Sequence, residues 1–503
     1  MKDLLGRILY WCLMAGLCVF VFSHTGRAGA AGMGFDEARH LLNRAGFGAS
    51  PGEIAEYSQL PREQAVEKLL RTARSVAAQS APAWVKEGIT PPRQLRDGGE
   101  EARKAFQQEQ VRRGFELRGW WLAEMIATSS PLLERMTLFW HNHFVSSQQK
   151  VKYVQLMYRQ NVLLRQHALG NFAGLLHTAS KDPAMIIYLD SASNRKGQPN
   201  ENFAREVMEL FTMGEGQYGE ADIREAARAF TGWSIDPETG EYRWRPFVHD
   251  DGAKTVLGKT GNFDGDAVLD ILLARPATAE FITRKLWREF VSPDPDEREV
   301  KRIAARFRDS GYDIRTALRW ILLSPAFWSA EARGSLVKSP VDLVVGTLRS
   351  FQFETGDVLP FAIVTAGLGQ NLFAPPNVKG WPGGEAWINS STLLARKQFL
   401  ERLFRGEEMP REAMKDGGRM ADFAKVKGAG RLGPEGRERF VRAMGDIHFD
   451  SAAWLQGVGG YAPLARRTVL AIDPANESLA TPQTPPGKDW LRQLVLDPAY
   501  QLK

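Results

Sequence analysis

Residues 131–144 read Pro-Leu-Leu-Glu-Arg-Met-Thr-Leu-Phe-Trp-His-Asn-His-Phe. Leu132, Met136, Phe139, Trp140 and His143 recur at the 3.6-residue period and fall on one face of a helix. His143 then points inward, while His141, two positions earlier, points elsewhere. The two imidazoles converge only if the helix stops near Trp140 and the tail runs extended, where i and i+2 share a side. Converging, they are candidate metal ligands or proton-transfer groups. Otherwise His143 is a hydrogen-bonded core histidine and His141 a surface one.

The same period continues on both sides. It predicts helices over Phe35–Ala45, Gln64–Ala73, Glu100–Ala127, Val151–Leu169, Phe172–Ala179, Asn200–Thr212 and Glu220–Thr231, with Gly170, Gly197 and Gly214 as stop signals. It returns over Ala267–Leu273, Thr278–Phe290, Glu297–Asp309, Ile314–Leu323, Ser339–Phe351, Gly356–Phe373 and Ser390–Phe404. Between Glu241 and Asp266 it lapses: Tyr242, Trp244 and Phe247 alternate with arginines, and Thr255-Val-Leu-Gly258 follows, which suggests a small β-hairpin or ordered loop. The expected fold class is mostly α, a large multi-helix body over 35–404 with a β excursion near 241–266. Residues 405–503 form a C-terminal extension, charged and glycine-rich over Arg405–Gly436 and a Pro/Thr linker over Ala475–Lys488. Its end, Leu494-Val-Leu-Asp-Pro-Ala-Tyr500, echoes Ile321-Leu-Leu-Ser-Pro-Ala-Phe327, so the final helix is expected to dock on the body.

Residues 1–30 read as a signal peptide rather than as fold. Lys2 and Arg7 flank the uncharged run Ile8–Phe22, and Ala28-Gly-Ala30 fits a cleavage site. A fifteen-residue helix reaches about 22 Å, short of a bilayer core of about 30 Å, which favours a cleaved signal over the alternative of an uncleaved anchor. Both cysteines, Cys12 and Cys18, lie in this segment, so a chain cleaved there has no disulfide, thiolate metal site or cysteine nucleophile. Such a chain carries 62 Lys+Arg against 58 Asp+Glu, because the signal removes three basic residues and one acidic one from 65 and 59. A balance of +4 is no nucleic-acid footprint. The expectation is export by the general secretory route to the periplasm or beyond, with no membrane attachment after cleavage.

Three further segments hold chemistry-bearing residues. In Asn200–Gly214, Phe203, Val207, Leu210 and Phe211 form the core stripe, and Asn202, Glu206 and Glu209 a polar stripe beside it. Carboxylates so spaced on a helix serve metals or acid–base chemistry. They serve equally in structural ion pairs, such as Arg205 with Glu209 at i+4. In Phe247–Gly258, His249, Asp250 and Asp251 are candidate hard-metal ligands, while Asp264-Gly-Asp266 reads as a helix cap. In Asn371–Asn389, Trp381 and Trp387 sit in a Pro/Gly-stiffened loop, suited to a substrate or partner platform or to packing over the core. P-loop, nucleophile-elbow, H-E-x-x-H and dinucleotide motifs are all missing from the sequence.

Taken in order, His40-Leu-Leu-Asn-Arg-Ala-Gly-Phe-Gly48, Phe139-Trp-His-Asn-His-Phe144, Asp182-Pro-Ala-Met185 with Tyr188-Leu-Asp190, Asn200–Gly214, Ala226–Trp233, His249–Gly258 and Pro375–Arg396 resemble a bacterial family catalogued as "domain of unknown function 1800". The resemblance covers about residues 35–404, with Asp497-Pro-Ala-Tyr-Gln501 resembling the family's end. It implies export and extracytoplasmic polymer or matrix work, since many members look to be encoded beside a sulfatase-like family. It supplies no catalytic residues.

Two functions are therefore carried forward. One is a hydrolase-like enzyme on an extracytoplasmic polymer. Its catalytic residues would be His143, Glu206 and Glu209, with a divalent metal on His141, His143, His249 and Asp250, or acid–base chemistry without one. Asn202, Arg205, Trp381 and Trp387 would bind substrate. The other is a non-catalytic binding or assembly partner of a sulfatase-like protein.

Overall fold

The computed structural model describes residues 31–405, 442, 446–480 and 486–503. The signal-like segment 1–30, nearly all of the charged stretch after Arg405 and residues 481–485 of the linker lie outside the described residues.

The helix Pro131–His143 runs unbroken through both histidines, and every residue between Leu132 and His143 except Asn142 is buried. It is apolar on both sides because it divides two cores. Leu132, Leu133, Met136, Phe139 and Trp140 join a cluster with the helices Phe172–Ser180, Gly265–Leu273, Pro276–Phe290, Glu297–Asp309 and Ile314–Leu322. Leu138 joins a second cluster with Trp121, Val344, Phe361, Phe373 and Trp381. Its charged residues are buried only with partners, as desolvation requires. Glu134 accepts from Trp121 Nε1 at 2.9 Å and from Arg165 at 2.6 and 3.0 Å. Arg135 pairs with Glu289 at 3.1 Å and with Asp342.

The fold is mostly α. Its described β structure is two antiparallel hairpins, Trp233–Ile235 with Tyr242–Trp244 and Lys254–Val256 with Lys259–Gly261. The excursion thus begins at Trp233, earlier than the sequence pattern placed it. Asp236 makes the turn, its carboxylate accepting from the backbone N–H groups of Glu238 and Thr239. In the second hairpin Leu257 and Gly258 both take positive φ, the two-residue turn that matches strand twist.

Among the short helices without a periodic signal are Pro51–Ser58, Pro183–Tyr188 and Pro325–Trp328. Each carries a capping residue (Ser50, Asp182, Ser324) followed by proline at the first helical position, which is the legible mark of such a start. The helix expected over Gly356–Phe373 is confined to Leu359–Gly367. The expected helix Asn200–Thr212 is α over Asn202–Glu206 and continues as a π-helix over Val207–Thr212.

The helix Lys488–Leu496 packs on Ser390–Arg405. Beyond it, Tyr500 and Thr347 share a hydroxyl–hydroxyl hydrogen bond of 2.8 Å, and Lys503 Nζ reaches Asp342 at 2.8 Å. Among the described residues no helix is long and apolar enough to cross a membrane.

Candidate functional site

Because the helix continues through His143, its last three polar residues leave it in three directions. His141 turns into the second core, between the rings of Trp121, Phe373 and Trp381 at 5.2, 5.2 and 5.8 Å. It is fully buried, and neither ring nitrogen has a hydrogen-bond partner among the described residues. Burial pushes its pKa down to about 3, so it is a neutral ring. His143 turns the other way. Its Nε2–H donates to the Phe211 carbonyl at 3.2 Å and its Nδ1 accepts from Lys285 Nζ at 2.8 Å. Burial first, then the Lys285 ammonium, hold it neutral, and burial lowers Lys285 itself to about 8.

Asn142, between them, was not singled out from the sequence, yet it fixes the loop that crosses the helix end. Its Oδ1 accepts from Trp381 N at 2.7 Å and its Nδ2 donates to Trp381 O at 3.5 Å. Gly380 makes this approach possible: with φ of 84°, a Cβ there would lie 2.2 Å from Asn142 Oδ1. The glycine-rich loop therefore lets the backbone close on Asn142 and turns Trp381 downward. Trp381 and Trp387 are 4% and 7% exposed, so neither indole forms the open platform that was one reading of this loop. Lys379, one residue before the contact, stays outside, 3.9 Å from Glu209 and 3.5 Å from Glu215.

Below Lys379 lies the Asn202–Thr212 segment. Phe203, Val207 and Phe211 are buried, while Glu206 and Glu209 sit half-buried along the edge and Asn202 is exposed at its start. The π turn widens the helix here, a distortion that recurs at functional sites. Thr212 Oγ1 closes it by donating to Val207 O at 2.5 Å. Glu209 accepts from the Tyr218 hydroxyl at 3.1 Å. Glu206 has neither a hydrogen bond nor an ion pair among the described residues. Burial, then the neighbouring Glu209 charge, raise its pKa, against smaller opposing effects of Lys379 and Arg205. Glu206 in turn raises the Tyr188 phenol, after burial. The groups that face one another along this edge are thus Tyr188, Glu206, Glu209, Tyr218 and Lys379. The last two were not named from the sequence.

The remaining predicted residues have structural duties. Arg205 does not pair with Glu209. It forms a bidentate pair with Glu220 at 2.8–2.9 Å and reaches Glu201 at 3.3 Å. Asn202 donates to Leu189 O at 3.1 Å and so ties the segment to the end of Pro183–Tyr188. Asp250 accepts a bidentate pair from Arg228 at 2.8 and 3.1 Å, which lowers its pKa to about 2 and fastens the loop to Glu220–Ala229. His249 donates from Nδ1 to Thr231 O at 2.9 Å and lies 4.8 Å from the Trp244 ring.

The metal set expected from His141, His143, His249 and Asp250 is therefore not brought together. The helical period separates the first two, and Arg228 occupies the last. Among the described residues no three His, Cys, Asp or Glu side chains are grouped to hold a metal ion.

The chain is a mostly helical body with a half-buried carboxylate pair at a π-helix edge. The chain belongs to the family described as "Protein of unknown function (DUF1800)", whose family model matches residues 40–502. No curated protein and no solved structure matches the chain.

Proposed function

We propose that the protein is a hydrolase-type enzyme that acts by acid–base chemistry at Glu206 and Glu209 on an extracytoplasmic polymer. One observation carries this reading: two adjacent carboxylates are held in different environments. Glu206 is half-buried, unpartnered and raised in pKa, which suits a proton donor. Glu209 is hydrogen-bonded by Tyr218 and faced by Lys379, which suits the proton-accepting or charge-stabilising member of the pair. In this role Glu206 protonates the leaving oxygen of the polymer linkage, and Glu209 takes the proton of the attacking water or stabilises developing positive charge. His143 is a positioning residue, because it holds Phe211 and the π turn through its Nε2–H bond. Export rests on the charged-then-apolar pattern of residues 1–30. The non-catalytic reading, a partner for a sulfatase-like protein, has no contact surface at Trp381 and Trp387 because both are buried.

The test uses purified protein with soluble polysaccharides and chromogenic glycosides and esters. Release of reducing ends or acid is expected, with an alkaline limb set by Glu206 deprotonation. Glu206→Gln and Glu209→Gln should each lower turnover by about 100-fold or more with unchanged circular dichroism. Turnover that persists in both variants, or carbon-13 titration showing Glu206 at an ordinary carboxylate pKa, would overturn the proposal.

A further inference from the structure

The hairpin aromatics and arginines left over from this site frame a second one. Between residues 192–200 and the first hairpin lies a cavity of about 430 Å³, within the range of small-ligand pockets. Its polar lining includes Ser193, Arg195, Gln198, Asn200, Ser234 and Arg245. We infer that this cavity binds an acidic saccharide, with the guanidiniums of Arg195 and Arg245 receiving its carboxylate or sulfate groups.

Charge is the first argument. Around the hairpin most cations are neutralised: Arg243 by Asp236 at 3.3 Å, Lys196 by Asp251 at 2.5 Å and Arg228 by Asp250. The two arginines inside the cavity are the exceptions. Arg195 bonds only the uncharged Gln198 amide, at 2.6 and 3.1 Å, and Arg245 lies over the Phe247 ring at 5.1 Å. Neither has a carboxylate partner among the described residues. Two uncompensated guanidinium forks in one cavity match planar oxyanions.

Stacking surface is the second argument. Trp244, at the end of the hairpin, is 39% exposed, and Phe247, in the helical turn after it, 74%; they flank the lining residue Arg245 at the rim of the cavity. Gly232, a lining residue with φ of 93°, lets Trp244 lie flat against the chain, since a Cβ there would sit 2.8 Å from the indole. An aromatic beside amides and hydroxyls suits a sugar ring, whose faces are apolar and whose edge is hydroxylated.

Rigidity is the third. The backbone stitches the walls together through Lys196 N to Val248 O at 2.8 Å, Arg245 N to Gly232 O at 2.9 Å and Gly232 N to Asn194 O at 3.3 Å. The Asn194 side chain adds a bond to Ala227 O at 2.8 Å. A cavity so tied is organised before its ligand arrives, which reduces the ordering cost of binding. A compact cavity with two arginines rather than an extended basic track favours a saccharide over a nucleic acid.

This inference does not depend on catalysis at Glu206, and binding reads it directly. Titration calorimetry of the intact protein would use polygalacturonate, dextran sulfate, neutral dextran and a single-stranded oligothymidylate. Polygalacturonate or dextran sulfate should bind, the preferred one identifying the anion, and neutral dextran should not. Arg195→Gln with Arg245→Gln should weaken that binding at least tenfold. Arg93→Gln with Arg103→Gln, which removes the same charge from a distant surface, should change it less than twofold. Phe247→Ser should weaken it severalfold without altering the fold. Equal loss in both arginine pairs, no loss in the first, or binding of the oligothymidylate without either acidic saccharide would overturn the inference.

Discussion

His141→Phe isolates the cost of burying an imidazole with no partner. The wild-type ring is enclosed by Trp121, Phe373 and Trp381, with both nitrogens unpaired among the described residues and a pKa of about 3. In the unfolded chain a histidine titrates near about 6.5. Between those values the unfolded state binds more protons than the folded one, so stability falls as pH drops from about 6.5 toward 3. At pH 5 the unfolded imidazole is almost fully charged and the folded one almost neutral, a difference of about 2 kcal/mol; at pH 7.5 the difference is negligible. Phenylalanine removes this dependence. Urea denaturation of both proteins at the two pH values should therefore show the variant about 2 kcal/mol better, relative to wild type, at pH 5 than at pH 7.5. His40 and His143, also buried and lowered in pKa, are common to both proteins and cancel. An offset that stays constant between the two pH values would refute the reasoning, because His141 would then keep an ordinary pKa when folded.

Asp342→Asn should cost about 3–5 kcal/mol in denaturant unfolding, because it leaves Arg135 and Lys503, 3% and 7% exposed, without their shared carboxylate. A loss below about 1 kcal/mol would mean that this network is not held in solution. Gly380→Ala should cost about 2–4 kcal/mol, from a strained positive φ and the broken Trp381 N–H bond to Asn142. Combined with Asn142→Ala, whose own effect removes the same bond, the two losses should fall well short of adding in a double-mutant cycle.

The sequence made the helices legible wherever an apolar stripe ran for three turns, as in Glu297–Asp309, whose bounds match the expectation to the residue. It missed Pro183–Tyr188 and Pro325–Trp328, which are too short to express a period and are started by a cap and a proline instead. At the candidate site the polar stripe of Asn202, Glu206 and Glu209 was readable, since periodicity places a residue on a face. The partners were not readable. Lys379 meets Glu209 across 170 positions of chain, and Arg228 meets Asp250 from another helix; neither encounter leaves a local pattern. The tryptophan loop misled for a related reason. Its glycines and prolines signal unusual backbone geometry, but whether that geometry lifts an indole toward solvent or folds it inward depends on Asn142, 239 residues away.

The Phe139–Phe144 segment matters to the proposed chemistry without touching a substrate. Asn142 fixes the loop that carries Lys379, while His143 fixes Phe211 at the far end of the π turn that carries Glu206 and Glu209. Two neighbouring side chains of one buried helix thereby set both walls of the carboxylate edge. An imidazolium in place of the neutral imidazole at 143 would lose the acceptor for Lys285 and oppose its charge, so the low pKa of His143 is part of the geometry. That division of labour explains how Asn and His occupy adjacent positions on a helix end and still serve one site. The period that keeps His141 and His143 apart is the same one that sends Asn142 to the loop and His143 to the π-helix.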